Sequence, residues 1–203
     1  SSHGSPLGEE EINLVRKKLK WKHEPFDIPT KILESWREIG DKGEILEKNW
    51  SSILDKKNVK VKEEYNRLIK GEFPEDLEKI FGDQKLNFFQ SKPDMATRQC
   101  SSTVIDNISN IIPELIGGSA DLSGSNNTKT KNSKVISSKN FSGNYIHYGV
   151  REHAMAGVMN GIALYGCLIP FGGTFLIFSD YLKPSMRLSA LMNLRVIYIF
   201  SHD

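Results

Sequence analysis

The chain opens with apolar and charged residues at the spacing of an amphipathic helix. In residues 9–20 acids come first and bases last, while Ile12, Val15 and Leu19 form one apolar face that Leu14 widens. Acids at the start and bases at the end of a helix complement its dipole. The pattern predicts a short amphipathic helix over these residues.

A longer stretch of the same character follows a segment broken by prolines. Residues 30–74 carry apolar side chains at helical spacing among many charges, which predicts two or three exposed helices. Residues 72–93 have a weaker pattern and are expected to be irregular or helical. Pro93 marks a boundary, so residues 1–93 are interpreted as a helical linker segment.

From residue 94 the pattern changes to short apolar runs separated by amphipathic stretches. Helices are predicted over residues 95–115, 151–166 and 174–193, strands over 115–122, 167–173 and 194–201, and a polar loop over 123–144. Strands alternating with helices predict an α/β fold with a wound, mainly parallel sheet. Both ends of the chain look cut, because it lacks an initial Met and closes on an apolar strand. Residues 94–203 are therefore expected to be the N-terminal part of a truncated domain.

Composition limits the kinds of partner. The 203 residues are 38% hydrophobic and 26% charged, with a formal net charge of +2. No basic stripe could follow a phosphate backbone, so nucleic acid is not expected as a partner. No apolar run reaches the roughly 18 residues of a membrane span, and no signal peptide opens the chain. Cys100 and Cys167 form no CxxC pair, which favours a soluble cytoplasmic protein.

Three segments are candidates for a binding site, because ligands bind beyond the carboxyl ends of strands in open α/β sheets. They are SADLSGSN, the turn before Glu152, and the terminal SHD. The first carries small polar side chains that could approach an anion or cap an ordinary turn, and on spacing alone the turn is the commoner case. These side chains are Asp121, Ser123, Ser125 and Asn126.

Two further features have both a structural and a functional interpretation. Glu152 opens a predicted helix, where an acid is favoured by the dipole whether or not it is catalytic. Phe175, Phe178 and Tyr181 recur every three residues along the helix predicted after two glycines. Such a stripe usually packs in a core, but a flat heterocycle could also lie against it.

The motifs together resemble the transketolase family closely and in the right order. They are GNYIHYGVREHAM, NGIALYG, PFGGTFLIFSDY, MRLSAL and SHD, preceded by HGSPLG, the ATR of MATRQC, and GGSADLSGSN. The match spans nearly the whole chain, although residues 30–93 match mainly in pattern and length. The chain is similar to the linker and the first half of the domain that binds the aminopyrimidine ring of thiamine diphosphate.

The resemblance implies how side chains would meet that cofactor. Glu152 takes the place of the family's catalytic glutamate, which hydrogen-bonds the N1′ nitrogen of the aminopyrimidine ring. Phe178 would lie directly on the ring, with Phe175 beside it and Tyr181 extending the aromatic wall. Asp121 would lie near the cofactor.

The resemblance also implies a sugar-phosphate substrate. The reaction would transfer a two-carbon ketol unit from a ketose phosphate to an aldose phosphate, in the pentose phosphate pathway. Arg98, Ser125 and His202 would hold the phosphate at the far end of the sugar, since Arg offers a fork of donors that suits a dianion. His3 falls where the family has a histidine that contacts both cofactor and substrate and assists proton transfer.

Some family parts lie outside these residues. In the family a GDG motif with a downstream Asn binds the diphosphate through a divalent metal, and no GDG occurs here. Mg²⁺ or another divalent cation would be held by a domain absent from this chain, and no metal ligand is expected within it. The GED and HQP segments that should follow SHD are also absent. The family's cofactor domains meet across a homodimer interface, so this chain alone is expected to be inactive.

Alternative functions fit the motifs less well. A dihydroxyacetone synthase shares them, but the predicted phosphate grip argues against it. A deoxyxylulose phosphate synthase is disfavoured because HYGVREHAM and GGSADL are closer to the transketolase forms. A noncatalytic α/β binding module would not need Glu152 and both phenylalanines.

Overall fold

The first of two compact units is a pair of exposed helices. A computed structural model describes residues 3–202, and the units divide between Asn58 and Val59. The first unit holds α1 (Glu9–Lys18) and α2 (Thr30–Asp55), neither of which has a buried residue. Acids fill the first turn of α1 and bases its last, which confirms the predicted amphipathic helix.

The second unit, described from Val59 to His202, is an α/β fold on a four-stranded sheet. Its helices are α3 (Val59–Lys70), α4 (Leu77–Ser91), α5 (Thr97–Ser109), α6 (Glu152–Tyr165) and α7 (Ser179–Leu191), and its strands are β1 (Leu115–Ser119), β2 (Tyr145–His147), β3 (Ile169–Phe175) and β4 (Ile197–Ser201). The strand order is β2-β1-β3-β4 and every pairing is parallel. The predicted wound, parallel α/β sheet is confirmed.

Apolar side chains cover both faces of the sheet, as expected for parallel strands. One cluster joins α4 and α5 to the strands through Leu77, Ile105, Ile112, Leu115, Tyr145, Ile169 and Phe171. The other joins α6 and α7 to the strands through Ala120, Tyr148, Met155, Ala156, Met159 and Leu182. The helices therefore lie in two layers, one on each side of the sheet.

Two neighbouring glycines let side chains on both sides of the sheet touch the backbone of β3. A Cβ atom added at Gly172 would collide with the sulfur atoms of Met155 and Met159 on α6. A Cβ added at Gly173 would collide with side chains of the loop after β1. Successive strand residues face opposite sides of the sheet. Gly172 therefore leaves room for α6 on one side, and Gly173 leaves room for the loop after β1 on the other.

A buried ion pair ties α3 to the start of β1. Arg67 donates to both carboxylate oxygens of Glu114, at 2.7 and 3.0 Å, and the two side chains are 14% and 5% exposed. Arg67 also donates to Glu64 and to the carbonyl oxygen of Glu72. The hydrogen bonds to Glu64, followed by those to Glu114, raise the pKa of Arg67 above its usual value.

Strand β2 was not predicted from the sequence. It is three residues long, Tyr145–His147, and lies inside the turn that was expected to lead directly to α6. So short a segment has no apolar alternation of its own. It is a strand because β1 pairs with it, with Gly118 beside Ile146.

The helix predicted over residues 174–193 was wrong at its start. Thr174 and Phe175 belong to β3, and a single 3-10 turn covers Leu176–Phe178 before α7 begins. Phe175 pairs with Ser201 of β4, so hydrogen bonding between strands overrides the three-residue repeat. Phe175, Phe178 and Tyr181 thus come from a strand, a turn and a helix.

Among residues 3–202, no helix has the length and apolar character that a membrane crossing requires.

Candidate functional site

A cavity opens at the carboxyl edge of the sheet, where β1, β2 and β3 end in loops. Its volume is about 490 Å³. The lining residues come from the loop after β1, the turn before α6, the start of α6, the 3-10 turn and α7: Ala120, Asp121, Leu122, Val150, Glu152, Phe178 and Tyr181. This edge is where open α/β sheets bind ligands.

Glu152 is the buried carboxylate of this cavity, with 8% of the residue exposed. It is the first residue of α6, and the chain reaches it from β2 through Gly149. The φ of Gly149 is +71°, a conformation that glycine adopts without strain, and the N–H of Arg151 closes the turn on its carbonyl oxygen at 2.7 Å. The helix N-terminus favours negative charge, which offsets part of the cost of burial.

Phe178 and Tyr181 form the aromatic wall of the cavity. Their ring centroids are 5.9 Å apart, with 28° between the ring planes. Phe175 continues the row, 6.0 Å from Phe178, but it is not among the lining residues. The wall therefore consists of two rings, and Phe175 packs against it from the end of β3.

Asp121 lines the cavity in a left-handed backbone conformation, with a φ of +64°. Asp tolerates this region better than most residues. The N–H of Ala120, before it, donates to the carbonyl oxygen of Gly173 at 3.0 Å. The N–H of Leu122, after it, donates to Ser119 Oγ at 3.1 Å. Bonds on both sides thus fix the conformation of Asp121.

The lining suits a flat heterocycle with polar ring atoms. The aromatic rings and the side chains of Leu122 and Val150 supply apolar surface, while Glu152 and Asp121 supply hydrogen-bond acceptors. Two carboxylates and no cation line the described cavity, so it favours a neutral or positively polarised group over a phosphate. An aminopyrimidine ring has this character.

Three residues predicted for the substrate phosphate do not line the cavity. Arg98 is half-buried in the first turn of α5, and Ser125 and His202 are exposed after the carboxyl ends of β1 and β4. His3 lies exposed in a turn of the first unit. The roles of these residues stay predictions.

The apolar part of the lining was not predicted from the sequence. Leu122 and Val150 line the cavity beside the predicted polar residues, and Val150 is 75% exposed. The sequence held one sign of it, because Leu122 directly follows Asp121 and Val150 lies two residues before Glu152. Within residues 3–202, no cluster of three His, Cys, Asp or Glu side chains could hold a metal ion.

Comparison with known proteins gives matches along the whole chain. Residues 93–203 match the family model for the transketolase pyrimidine binding domain, and residues 1–74 match that for the transketolase thiamine diphosphate binding domain. A transketolase of Sinorhizobium medicae is 44% identical over 202 residues, covering 100% of this chain and 29% of the relative. Transketolase 2 of Escherichia coli is 41% identical over 206 residues, covering 100% of this chain and 30% of the relative.

Solved structures agree with these matches. A transketolase of Pichia stipitis in complex with sedoheptulose-7-phosphate superimposes with a TM-score of 0.83 at 33% identity, covering 99% of this chain and 31% of that one. A transketolase of Campylobacter jejuni gives a TM-score of 0.75 at 34% identity, covering 100% of this chain and 30% of that one. The chain thus spans about 30% of the length of the relatives it matches.

Proposed function

The chain belongs to the transketolase family, and on that premise we propose that the protein containing it transfers a two-carbon ketol unit from a ketose phosphate to an aldose phosphate. Its cofactor is thiamine diphosphate. The observation that carries the proposal is the cavity that joins the buried carboxylate of Glu152 to the aromatic ring of Phe178.

The acidic and aromatic residues of the cavity have distinct roles toward the aminopyrimidine ring. Phe178 packs on the ring, supported by Phe175 and extended by Tyr181, and it excludes water from the carboxylate. Glu152 hydrogen-bonds the N1′ nitrogen and holds the proton there. Asp121 lies near the cofactor, fixed by the loop after β1. The bound cofactor supplies an electron sink for cleaving a carbon–carbon bond beside a ketone, which no side chain provides.

The substrate-binding part of the proposal uses residues outside the cavity lining. Arg98, Ser125 and His202 bind the terminal phosphate of the sugar, and His3 contacts both cofactor and substrate. Arg98 supplies a fork of donors for a dianion. The positions of Ser125 and His202 beyond two strand carboxyl ends support this assignment.

The remaining features of the enzyme come from the family. We expect Mg²⁺, or another divalent cation, to bind the diphosphate through residues outside this chain. The enzyme is proposed to act as a homodimer in the pentose phosphate pathway of the cytoplasm. Sugar phosphates are its small-molecule partners.

Other functions have less support. A dihydroxyacetone synthase would use the same cofactor cavity, but the proposed phosphate grip of Arg98 suits a phosphorylated acceptor. A noncatalytic binding module has no use for a carboxylate buried at the start of α6. The relatives named above are transketolases.

The substitution Glu152→Gln tests the proposal in the full-length gene product. It keeps the shape of the side chain but not its ability to hold the N1′ proton. We expect turnover to fall by about 10²-fold or more, since a positioned acid–base group typically contributes about 10²- to 10⁴-fold. Thiamine diphosphate binding should stay within about tenfold, because ring packing is retained.

A matched control is Asp180→Asn, which also changes an acid to an amide in the first turn of a helix. Asp180 is 74% exposed and pairs with Lys183, so turnover should stay near that of the unsubstituted enzyme. Kinetics and calorimetric titration of both variants decide the matter. Near-normal turnover of Glu152→Gln would falsify the assignment.

A further inference from the structure

A buried polar network lies beneath the loop that carries Asp121. Ser119, Asn126 and Thr128 are 0% exposed and Tyr145 is 1% exposed. Most polar side chains at such depth are hydrogen-bonded. The network is distinct from the cavity, since none of these four residues lines it.

Two main-chain groups decide the orientation of the Asn126 amide. The carbonyl oxygen of Leu122 can only accept a hydrogen bond, and the N–H of Thr174 can only donate one. The side-chain nitrogen of Asn126 therefore faces Leu122, at 2.8 Å, and its oxygen faces Thr174 N, at 3.2 Å. In this orientation one side chain joins β3 to the loop after β1.

The network continues from the amide to a second point on the loop. The Asn126 nitrogen also donates to Thr128 Oγ1 at 2.9 Å. Thr128 Oγ1 lies 3.0 Å from Tyr145 Oη, which donates to Ser123 Oγ at 2.7 Å. Because Tyr145 uses its proton on Ser123, the hydroxyl of Thr128 donates to Tyr145. The Asn126 amide and the hydroxyls of Thr128 and Tyr145 thus each donate to a defined acceptor.

The network also packs directly on the sheet. A Cβ atom added at Gly173 would lie 2.5 Å from Thr128 Cγ2 and 2.9 Å from the Asn126 amide atom that faces the strand. The side chains of Asn126 and Thr128 therefore rest against the backbone of β3 with no space between. Neither side chain can move toward the strand.

We propose that Asn126 is a positioning residue for the loop after β1, a proposal that rests on the function proposed above. Asp121 and Ser125 are on this loop, and Asn126 fixes the carbonyl of Leu122, which lies between them. That same carbonyl accepts the N–H groups of Ser125 and Asn126, both at 2.9 Å. Asn126 thereby positions both Asp121, on the cofactor side, and Ser125, on the phosphate side.

The test is Asn126→Ala in the full-length gene product. Loosening the loop displaces both residues, and a displacement of about 1 Å can cost up to 10²-fold in rate. We expect the dissociation constant of thiamine diphosphate, titrated calorimetrically with Mg²⁺, to rise about tenfold or more. The KM for a phosphorylated ketose should rise by a similar factor while kcat falls less, since Glu152 stays in place.

The matched control is Asn160→Ala. Asn160 is a second buried asparagine, 6% exposed, whose amide donates to Ser185 O at 2.9 Å and accepts from Ser189 Oγ at 2.5 Å. The Asn160→Ala variant loses a comparable set of hydrogen bonds on the other face of the sheet. We expect a similar drop in melting temperature but unchanged cofactor affinity and KM at temperatures well below melting.

Tyr145→Phe keeps the proposal testable if Asn126→Ala does not fold. It removes one oxygen and cuts the link to Ser123, so cofactor affinity and KM should shift in the same direction by a smaller factor. If both variants lower only the melting temperature, as Asn160→Ala does, the positioning role is wrong. If the unsubstituted protein binds no thiamine diphosphate, the proposed function itself fails.

Discussion

At the scale of single residues, Tyr148 is buried at a cost. It is 8% exposed, and its hydroxyl has no hydrogen-bond partner among residues 3–202. Desolvation, with a smaller contribution from Tyr145, raises its pKa above the usual value near 10. The side chain packs beside Met155 and Met159, so it stabilises the fold through apolar packing.

We expect Tyr148→Phe to raise the free energy of unfolding by ~1 kcal/mol, because an unpaired buried hydroxyl is removed. The effect should depend on pH. Above about pH 10 the unfolded tyrosine loses its proton while the folded one keeps it. The unfolded state then binds fewer protons, so stability falls as the pH rises.

Urea unfolding at pH 7 and at about pH 11 measures both parts of this prediction. The variant should lose less stability than the unsubstituted protein on going to the higher pH. Tyr165→Phe is the control, because Tyr165 is 89% exposed. A variant destabilised at both pH values would mean that the hydroxyl has a partner.

Arg98 gives a second prediction at this scale. Since its proposed contact is to the remote phosphate, Arg98→Ala should raise the KM for a phosphorylated ketose about tenfold or more. The KM for an unphosphorylated donor such as hydroxypyruvate should change little. Steady-state kinetics with both donors makes the comparison, and an equal effect on the two would remove Arg98 from the phosphate site.

At the scale of secondary-structure elements, the Arg67–Glu114 pair controls how α3 is held. Arg67→Ala leaves the carboxylate of Glu114 buried without its partner, which should cost about 3–5 kcal/mol of stability. Lys183→Ala breaks an exposed pair with Asp180 and should cost at most ~1 kcal/mol. Chemical denaturation of both variants measures the difference, and equal costs would contradict the buried role.

How much of these elements the sequence predicts depends on where their hydrogen bonds go. Helices such as α1 and α6 bond within themselves, so periodicity was enough to predict them. The strand β2 and the strand state of Phe175 depend on partners far along the chain, which a local pattern does not contain. The motif-based candidates Asp121, Glu152 and Phe178 meet in one cavity, whereas the buried state of Asn126 follows from the sheet beside it.

At the scale of the whole molecule, a polypeptide of residues 1–203 should show no transketolase activity and bind thiamine diphosphate only weakly. The described cavity offers stacking on Phe178 and one hydrogen bond to Glu152, but its lining has no cation for the diphosphate. Such contacts give roughly millimolar affinity after the cost of association. Calorimetric titration with and without Mg²⁺ measures it, and micromolar binding would mean that the cofactor site is misplaced.

The paired glycines of β3 bring elements from both sides of the sheet into contact with one main chain. At Gly172 and Gly173 only one main chain separates the methionine sulfur atoms of α6 on one side from the amide of Asn126, in the loop after β1, on the other. The helix that begins with Glu152 and the loop that carries Asp121 therefore press on the same strand from opposite sides. A side chain added at Gly172 would push that helix away from the strand, and one added at Gly173 would push away the loop.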